Sequence, residues 1–215
     1  MSRETAKLLA LAGAELVVSQ DASGSQRWIL GDIFCCAQRQ GQHVSSLTVD
    51  GAGPPVAEEL AREVLERLGG LDLIILDATD SAAASGNFVP RARAFLPYLR
   101  RTGKGHLSFV SRLEAFLRMP DSPAAGAGEA SPAGFARSLR GEIGAAGPEV
   151  SVLLAPDRSS SQLVARRYLR EILSGSFHIV PGTRARLLYS LRRRFPLAFR
   201  WWYGLERGAS FSSLS

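Results

Sequence analysis

Apolar positions along the chain follow two alternating rhythms. Short apolar runs occur at residues 14–19 (Ala-Glu-Leu-Val-Val-Ser), 43–50, 71–77 (Leu-Asp-Leu-Ile-Ile-Leu-Asp), 106–111, 150–155 and 177–180. They read as strands, and the run at 71–77 is nearly continuous, as in a parallel sheet buried on both faces. Between them lie segments of helical character at 3–12, 26–39, 55–68, 91–101, 134–144 and 161–174. In the third of these, Val56, Leu60, Val64 and Leu68 fall on one face, with Glu and Arg opposite, and Gly69-Gly70 stops the helix. The segment 91–101 is predicted helical despite Pro97. Small polar residues at 21–25 and 80–87, and an Ala/Gly/Pro-rich stretch at 120–132, read as loops. Strands alternating with helices predict an α/β domain with a parallel sheet.

The pattern changes after residue 180. Thr183 is placed to cap a helix that runs to about Phe195, with Leu187, Leu188, Leu191 and Phe195 on one face and arginines over the rest. Pro196 breaks it, and a second amphipathic piece carries Leu197, Trp201, Trp202 and Leu205. We therefore divide the chain into a domain at 1–180 and a basic amphipathic tail at 181–215. Charge follows the same division. Residues 1–156 carry 15 basic and 17 acidic residues, whereas 157–215 carry 11 basic and 3 acidic, a net of +8. Such asymmetry implies an anionic partner. Tryptophan, tyrosine and arginine together suit an anionic lipid surface, while a helix pair packed on the domain with solvated arginines is the other reading. Nucleic acid is not expected, since no binding module is recognisable.

Composition narrows the class. At 215 residues and 46% hydrophobic content the chain can bury a full core, so disorder, collagen and disulfide scaffolds are excluded. Cys35 and Cys36 are adjacent, and read as a buried, reduced pair without metal. His43, His106 and His178 are isolated, match no zinc spacing, and read as solvated or capping. Ser159-Ser160-Ser161 lack a nucleophile elbow, so a hydrolase is not expected. The first residues do not read as a basic-then-apolar signal segment, and no apolar run reaches about 20 residues. The expected location is cytoplasmic, with the tail on the inner face of the membrane.

Several pieces together carry a family likeness. They are residues 3–18; Gly70-Leu71-Asp72-Leu73-Ile74-Ile75 after the helix at 56–68; Phe95-Leu96-Pro97-Tyr98-Leu99-Arg100-Arg101 before Gly103-Lys104-Gly105-His106-Leu107; and Gly134-Phe135-Ala136-Arg137-Ser138-Leu139-Arg140-Gly141-Glu142-Ile143 before 150–156. In order and spacing they resemble the short-chain dehydrogenase/reductase family over most of residues 3–180. The resemblance implies a Rossmann-like sheet, NAD(P) and oxidoreductase chemistry.

The family's working residues do not carry over. Its first strand and glycine turn would precede residue 1. That strand sits centrally in the family's sheet, so either the sheet closes differently, another chain fills the gap, or the start lies upstream. The Asn-Asn-Ala-Gly turn reads Leu76-Asp77-Ala78-Thr79. The catalytic Ser, Tyr and Lys fall on Arg112, Ala125 and Glu129, although a one-residue slip would bring in Ser111. No Tyr lies between Tyr98 and Tyr168, and no Lys follows Lys104. The chemistry needs a Tyr hydroxyl acidified by a Lys ammonium. Asp50 matches the residue that contacts adenine, or else caps the next turn. Pro156 matches a family Pro, but Asp157 replaces the Gly beside it and would repel phosphate. These departures lead us to expect no catalytic residues and no bound cofactor. The expected function is that of a non-catalytic homologue, a scaffold or partner of an active reductase paralogue or of itself. The alternative is an NAD(P)-dependent oxidoreductase acting on a lipid-like ketone or alcohol. A peripheral lipid-binding role for the old cleft is a third reading.

Overall fold

A computed structural model describes residues 2–21, 27–39, 41–79, 88–103, 105–118, 131–156, 162–196 and 198–199. Along the chain these form α1 (Ser2–Leu11), β1 (Leu16–Asp21), α2 (Arg27–Gln38), β2 (Val44–Val49), α3 (Pro54–Leu68), β3 (Leu73–Asp77) and α4 (Phe88–Thr102). Next come β4 (His106–Arg112), α5 (Leu113–Arg118), α6 (Pro132–Ile143), β5 (Glu149–Ala155), α7 (Gln162–Leu173), β6 (His178–Ile179) and α8 (Thr183–Arg194). The expected α/β alternation holds throughout. All strand pairs are parallel.

The strands fall into two sheets, β1-β2 and β3-β4-β5-β6. Strand β1 pairs only with β2 and β3 only with β4, so each has an open backbone edge and a divide separates the two sheets. Burial follows from this. Strands β4 and β5 are buried along almost their whole length, whereas no residue of β1 from Leu16 to Gln20 is buried, and Leu73 and Ile75 of β3 are only half-buried. The near-continuous apolar run of β3 thus has the composition of an interior strand and the environment of an edge.

Helices cover both faces. Helix α1 packs against α2 and α7, and α3 packs against α4. Period-two alternation in β4 assigns its side chains to opposite layers. Leu107 and Phe109 join the core under α4 and α6, where Phe88, Phe109 and Phe135 meet edge-to-face at 5.7–6.2 Å between centroids. Val110 joins Leu153, Tyr168, Ile172 and Ile179 on the α7 side. Gly105 lets α4 lie close over the start of β4, since a Cβ there would sit 2.7 Å from the Leu99 carbonyl oxygen.

Local signals account for most boundaries. Pro begins α3, and Gly69 at φ +68° ends it, its N–H donating to the Leu65 carbonyl. Ser131 caps α6 by accepting from the Gly134 N–H at 3.0 Å. Other expectations need correction. Helix α4 starts at Phe88, earlier than the polar stretch suggested, because Phe88 is drawn into the core. Helix α5 was not expected at all. The capping residue of α8 is Gly182, with no side-chain cap, so Thr183 is the first helical residue. Cys35 is exposed, because the inward face of α2 is set by Ile33 and Ala37.

Candidate functional site

A divide separates the β1-β2 pair from the four-stranded sheet, of which β3 is a free edge. In open α/β sheets a reversal of strand order leaves a crevice at the carboxyl ends. Asp77 ends β3 at this rim. Its Oδ1 accepts from the Thr79 N–H at 3.0 Å and from the Thr79 hydroxyl at 2.6 Å. Its Oδ2 accepts from the Ser2 hydroxyl at the first turn of α1. Both carboxylate oxygens are therefore engaged, and a negative charge already sits at the positive end of a helix. Helix α1 is held in this place by Lys7, 3.0 Å from Asp32 of α2, and by an Arg3–Asp32 ion pair.

The other rim residues do not converge on a reaction centre. Asp50 follows β2 and is exposed. Arg112 ends β4 and is exposed, opposite Ala155 in register. Ser111 is buried, directly before it. Ala125, Glu129, Lys104 and Asp157 lie outside the described residues, as do Leu197, Trp201, Trp202 and Leu205. Among the described residues no group of three His, Cys, Asp or Glu could hold a metal ion.

The most connected polar side chains lie instead at the amino-terminal half of the sheet, under α7. His106 Nε2 is hydrogen-bonded to Ser151 Oγ at 2.8 Å, and Ser151 to Ser108 at 2.8 Å. The Tyr168 hydroxyl donates to Ser108 Oγ at 2.6 Å. Glu149 stands 3.4 Å from His106 Nδ1. His106 is thus buried rather than solvated, and burial lowers its pKa against the opposing pull of Glu149. Burial likewise raises that of the fully buried Tyr168, opposed by its bond to Ser108. The signal in sequence is the pair of serines at alternate positions of otherwise apolar strands, Ser108 two residues after His106 and Ser151 two after Glu149.

A third cluster joins β6, α5, α6 and α8. His178 stacks edge-on to Phe177 at 4.4 Å between centroids and lies 5.4 Å from Tyr189. Arg140 covers the Phe177 ring at 5.0 Å, and Arg192 covers Phe116 at 4.9 Å. Burial first, then Arg137, Arg193 and Arg140, push the His178 pKa down to about 4. This histidine, too, was read as solvated or capping, and the aromatic neighbours that bury it come from distant segments. His43 alone of the three is exposed.

No family model matches the chain. Solved structures do. The apo form of LigD from Sphingobium sp. strain SYK-6 superposes with a TM-score of 0.72 at 17% identity, covering 92% of this chain and 90% of that one. A short chain dehydrogenase/reductase from Burkholderia phymatum in complex with NAD gives 0.67 at 16% identity, covering 89% and 88%. The chain has the fold of the short-chain dehydrogenase/reductases. A curated relative, 1-deoxy-11-beta-hydroxypentalenate dehydrogenase of Streptomyces exfoliatus, is 29% identical over 145 residues. That match takes in 58% of this chain and 52% of the relative, so the chain spans about half the length of the curated protein it resembles.

In a short-chain dehydrogenase/reductase fold the divide takes on meaning. The central strand of that fold would run between β1 and β3, and among the described residues nothing runs there. The sheet has not closed across the gap, which removes the first of the three arrangements expected from sequence. The fit of a dinucleotide can be judged from the rim. A pyrophosphate is held by backbone N–H groups at a helix N-terminus. Here the first turn of α1 meets the Asp77 carboxylate instead. Asp50, which the resemblance aligned with an adenine contact, is exposed after β2 and adds a second acid at this end of the sheet. A carboxylate beside the first turn of α1 disfavours a phosphate at that terminus.

Proposed function

We propose that the chain is a non-catalytic homologue of the short-chain dehydrogenase/reductases that acts as a scaffold or as the partner of an active reductase or of a second copy of itself. The observation that carries this reading is Asp77. Its carboxylate, engaged by Ser2 and Thr79, stands at the helix terminus where a dinucleotide would place its phosphates. The sequence supports it independently, since Arg112, Ala125 and Glu129 stand where the resemblance expects Ser, Tyr and Lys. Tyr168, the next Tyr after Tyr98, is spent within the core.

A second reading, an NAD(P)-dependent oxidoreductase, is favoured by the company the chain keeps. The curated relative is a dehydrogenase and a solved neighbour binds NAD. Carbonyl reduction assayed with NADH and NADPH separates the two. A positioned general acid contributes about 10²–10⁴-fold, and the first reading expects no turnover above background. It expects none from the double variant Ala125→Tyr, Glu129→Lys either, because the nucleotide site is also lost. Turnover of a ketone by either protein supports the second reading and overturns the first.

A further inference from the structure

Helix α8 is turned against its own pattern. Its inward residues include Ala185, which is buried in the core, and Arg192, which is buried, donates to the Phe116 carbonyl and covers the Phe116 ring. Leu188 and Tyr189 pack beside them, and Phe199 follows into the core. Its outward residues include Leu187 at 60% exposure, Leu191 at 38% and Phe195 at 56%. Successive steps of four along a helix place these three in one stripe. An arginine is thus folded inward while three large apolar side chains are left to water. Long charged side chains on a self-contained domain usually do the reverse.

The stripe lies in a basic field. Arg184, Arg186, Arg193 and Arg194 are exposed along the same helix, and α8 contains no acidic residue. The neighbouring helix α7 meets the start of α8 where Arg186 bonds Glu171 at 3.2 Å. Glu171 also takes Arg167 at 3.1 Å, so the acid at this junction is already matched. Exposed Leu163 and Leu173 and the arginines 166 and 170 continue the same composition along α7. No helix of the described residues is long and apolar enough to cross a membrane.

We propose that the outer face of α8 docks on a bilayer that carries anionic lipid. The helix lies in the interface plane, with Leu187, Leu191 and Phe195 entering the acyl boundary and Arg184, Arg193 and Arg194 reaching phosphate and carboxylate headgroups. The choice of occupant follows from charge. A second copy would bring the same four exposed arginines to face these, whereas an anionic headgroup layer complements them. The inward half of α8 remains packed on α5, so docking requires no unfolding of the domain. This inference does not depend on whether the chain is catalytic.

The test uses the full chain with phosphatidylcholine vesicles, with and without phosphatidylserine, in co-sedimentation. Binding to the anionic vesicles alone is expected, weakening as salt rises. The variant R184Q/R193Q/R194Q is expected to bind about 100-fold more weakly, from about 1 kcal/mol per basic residue at such a surface. The variant L187N/L191N is expected to lose binding with its melting temperature little changed. If either variant fails to fold, the lipid and salt dependence of the unaltered protein still decides. Absence of binding to anionic vesicles overturns the proposal. So does equal binding to both vesicle types, or self-association through α8 that the L187N/L191N variant abolishes.

Discussion

Ser151→Ala is expected to destabilise the fold more than Tyr168→Phe, although both delete a single atom from the polar chain beneath α7. Ser151 Oγ is a node of that chain, 2.8 Å from both His106 Nε2 and Ser108 Oγ, whereas the Tyr168 hydroxyl is its end. Ser108 keeps its bond from Tyr168 when Ser151 is truncated, but His106 Nε2 loses its partner within a buried residue. Each hydrogen bond contributes about 1 kcal/mol net, and an unsatisfied buried group costs about 1–3 kcal/mol. The expected total is about 3 kcal/mol. Tyr168→Phe removes one bond and leaves Ser108 paired with Ser151, so about 1 kcal/mol is expected despite the complete burial of the ring. For a chain of this size, about 2–4 °C per kcal/mol applies. Thermal or urea unfolding of the two variants at neutral pH measures the difference. A Tyr168→Phe variant as destabilised as Ser151→Ala, or a neutral Ser151→Ala, would refute the reasoning that the node rather than the ring hydroxyl holds the network.

Three further outcomes follow from particular residues. Gly105→Ala is expected to cost about 1–3 kcal/mol, because the new Cβ would lie 2.7 Å from the Leu99 carbonyl oxygen and α4 would have to shift; chemical denaturation checks this. His178 has a native pKa of about 4 against an ordinary 6.5. Its contribution is therefore complete above pH 6.5 and is lost as pH falls toward 4, by about 2 kcal/mol once partial exposure is discounted. The melting temperature of the unaltered chain should fall across that window by more than that of His178→Phe. Asp77→Ala should leave Thr79 and Ser2 without their acceptor, and proteolysis near the end of β3 should accelerate.

Much of the fold was legible because periodicity is a local property. The apolar run of β3, the amphipathic face of α3 and the Gly69 stop each specify their element without help from elsewhere. The divide between β1 and β3 was foreshadowed only through the family resemblance, since the composition of β3 is that of an interior strand. Long-range features were not legible. His106, Ser108, Ser151 and Tyr168 come from three elements, and a serine in an apolar strand does not announce its partner. The orientation of α8 was likewise hidden. Leu187, Leu188 and Leu191 look equivalent on a helical wheel, yet Ala185 and Arg192, through Phe116, decide which side faces inward. At the rim, Asp77 stood out as a departure from a family turn, but its engagement with Ser2 depends on where α1 settles.

Titration of the chain with NADH and with NADPH by calorimetry tests the reading of the divide most directly. With Asp77 at the first turn of α1, dissociation constants no tighter than about 1 mM are expected, roughly 4 kcal/mol weaker than a micromolar site. Micromolar binding of either nucleotide would contradict this, and would mean that the rim accepts phosphates in spite of its carboxylate.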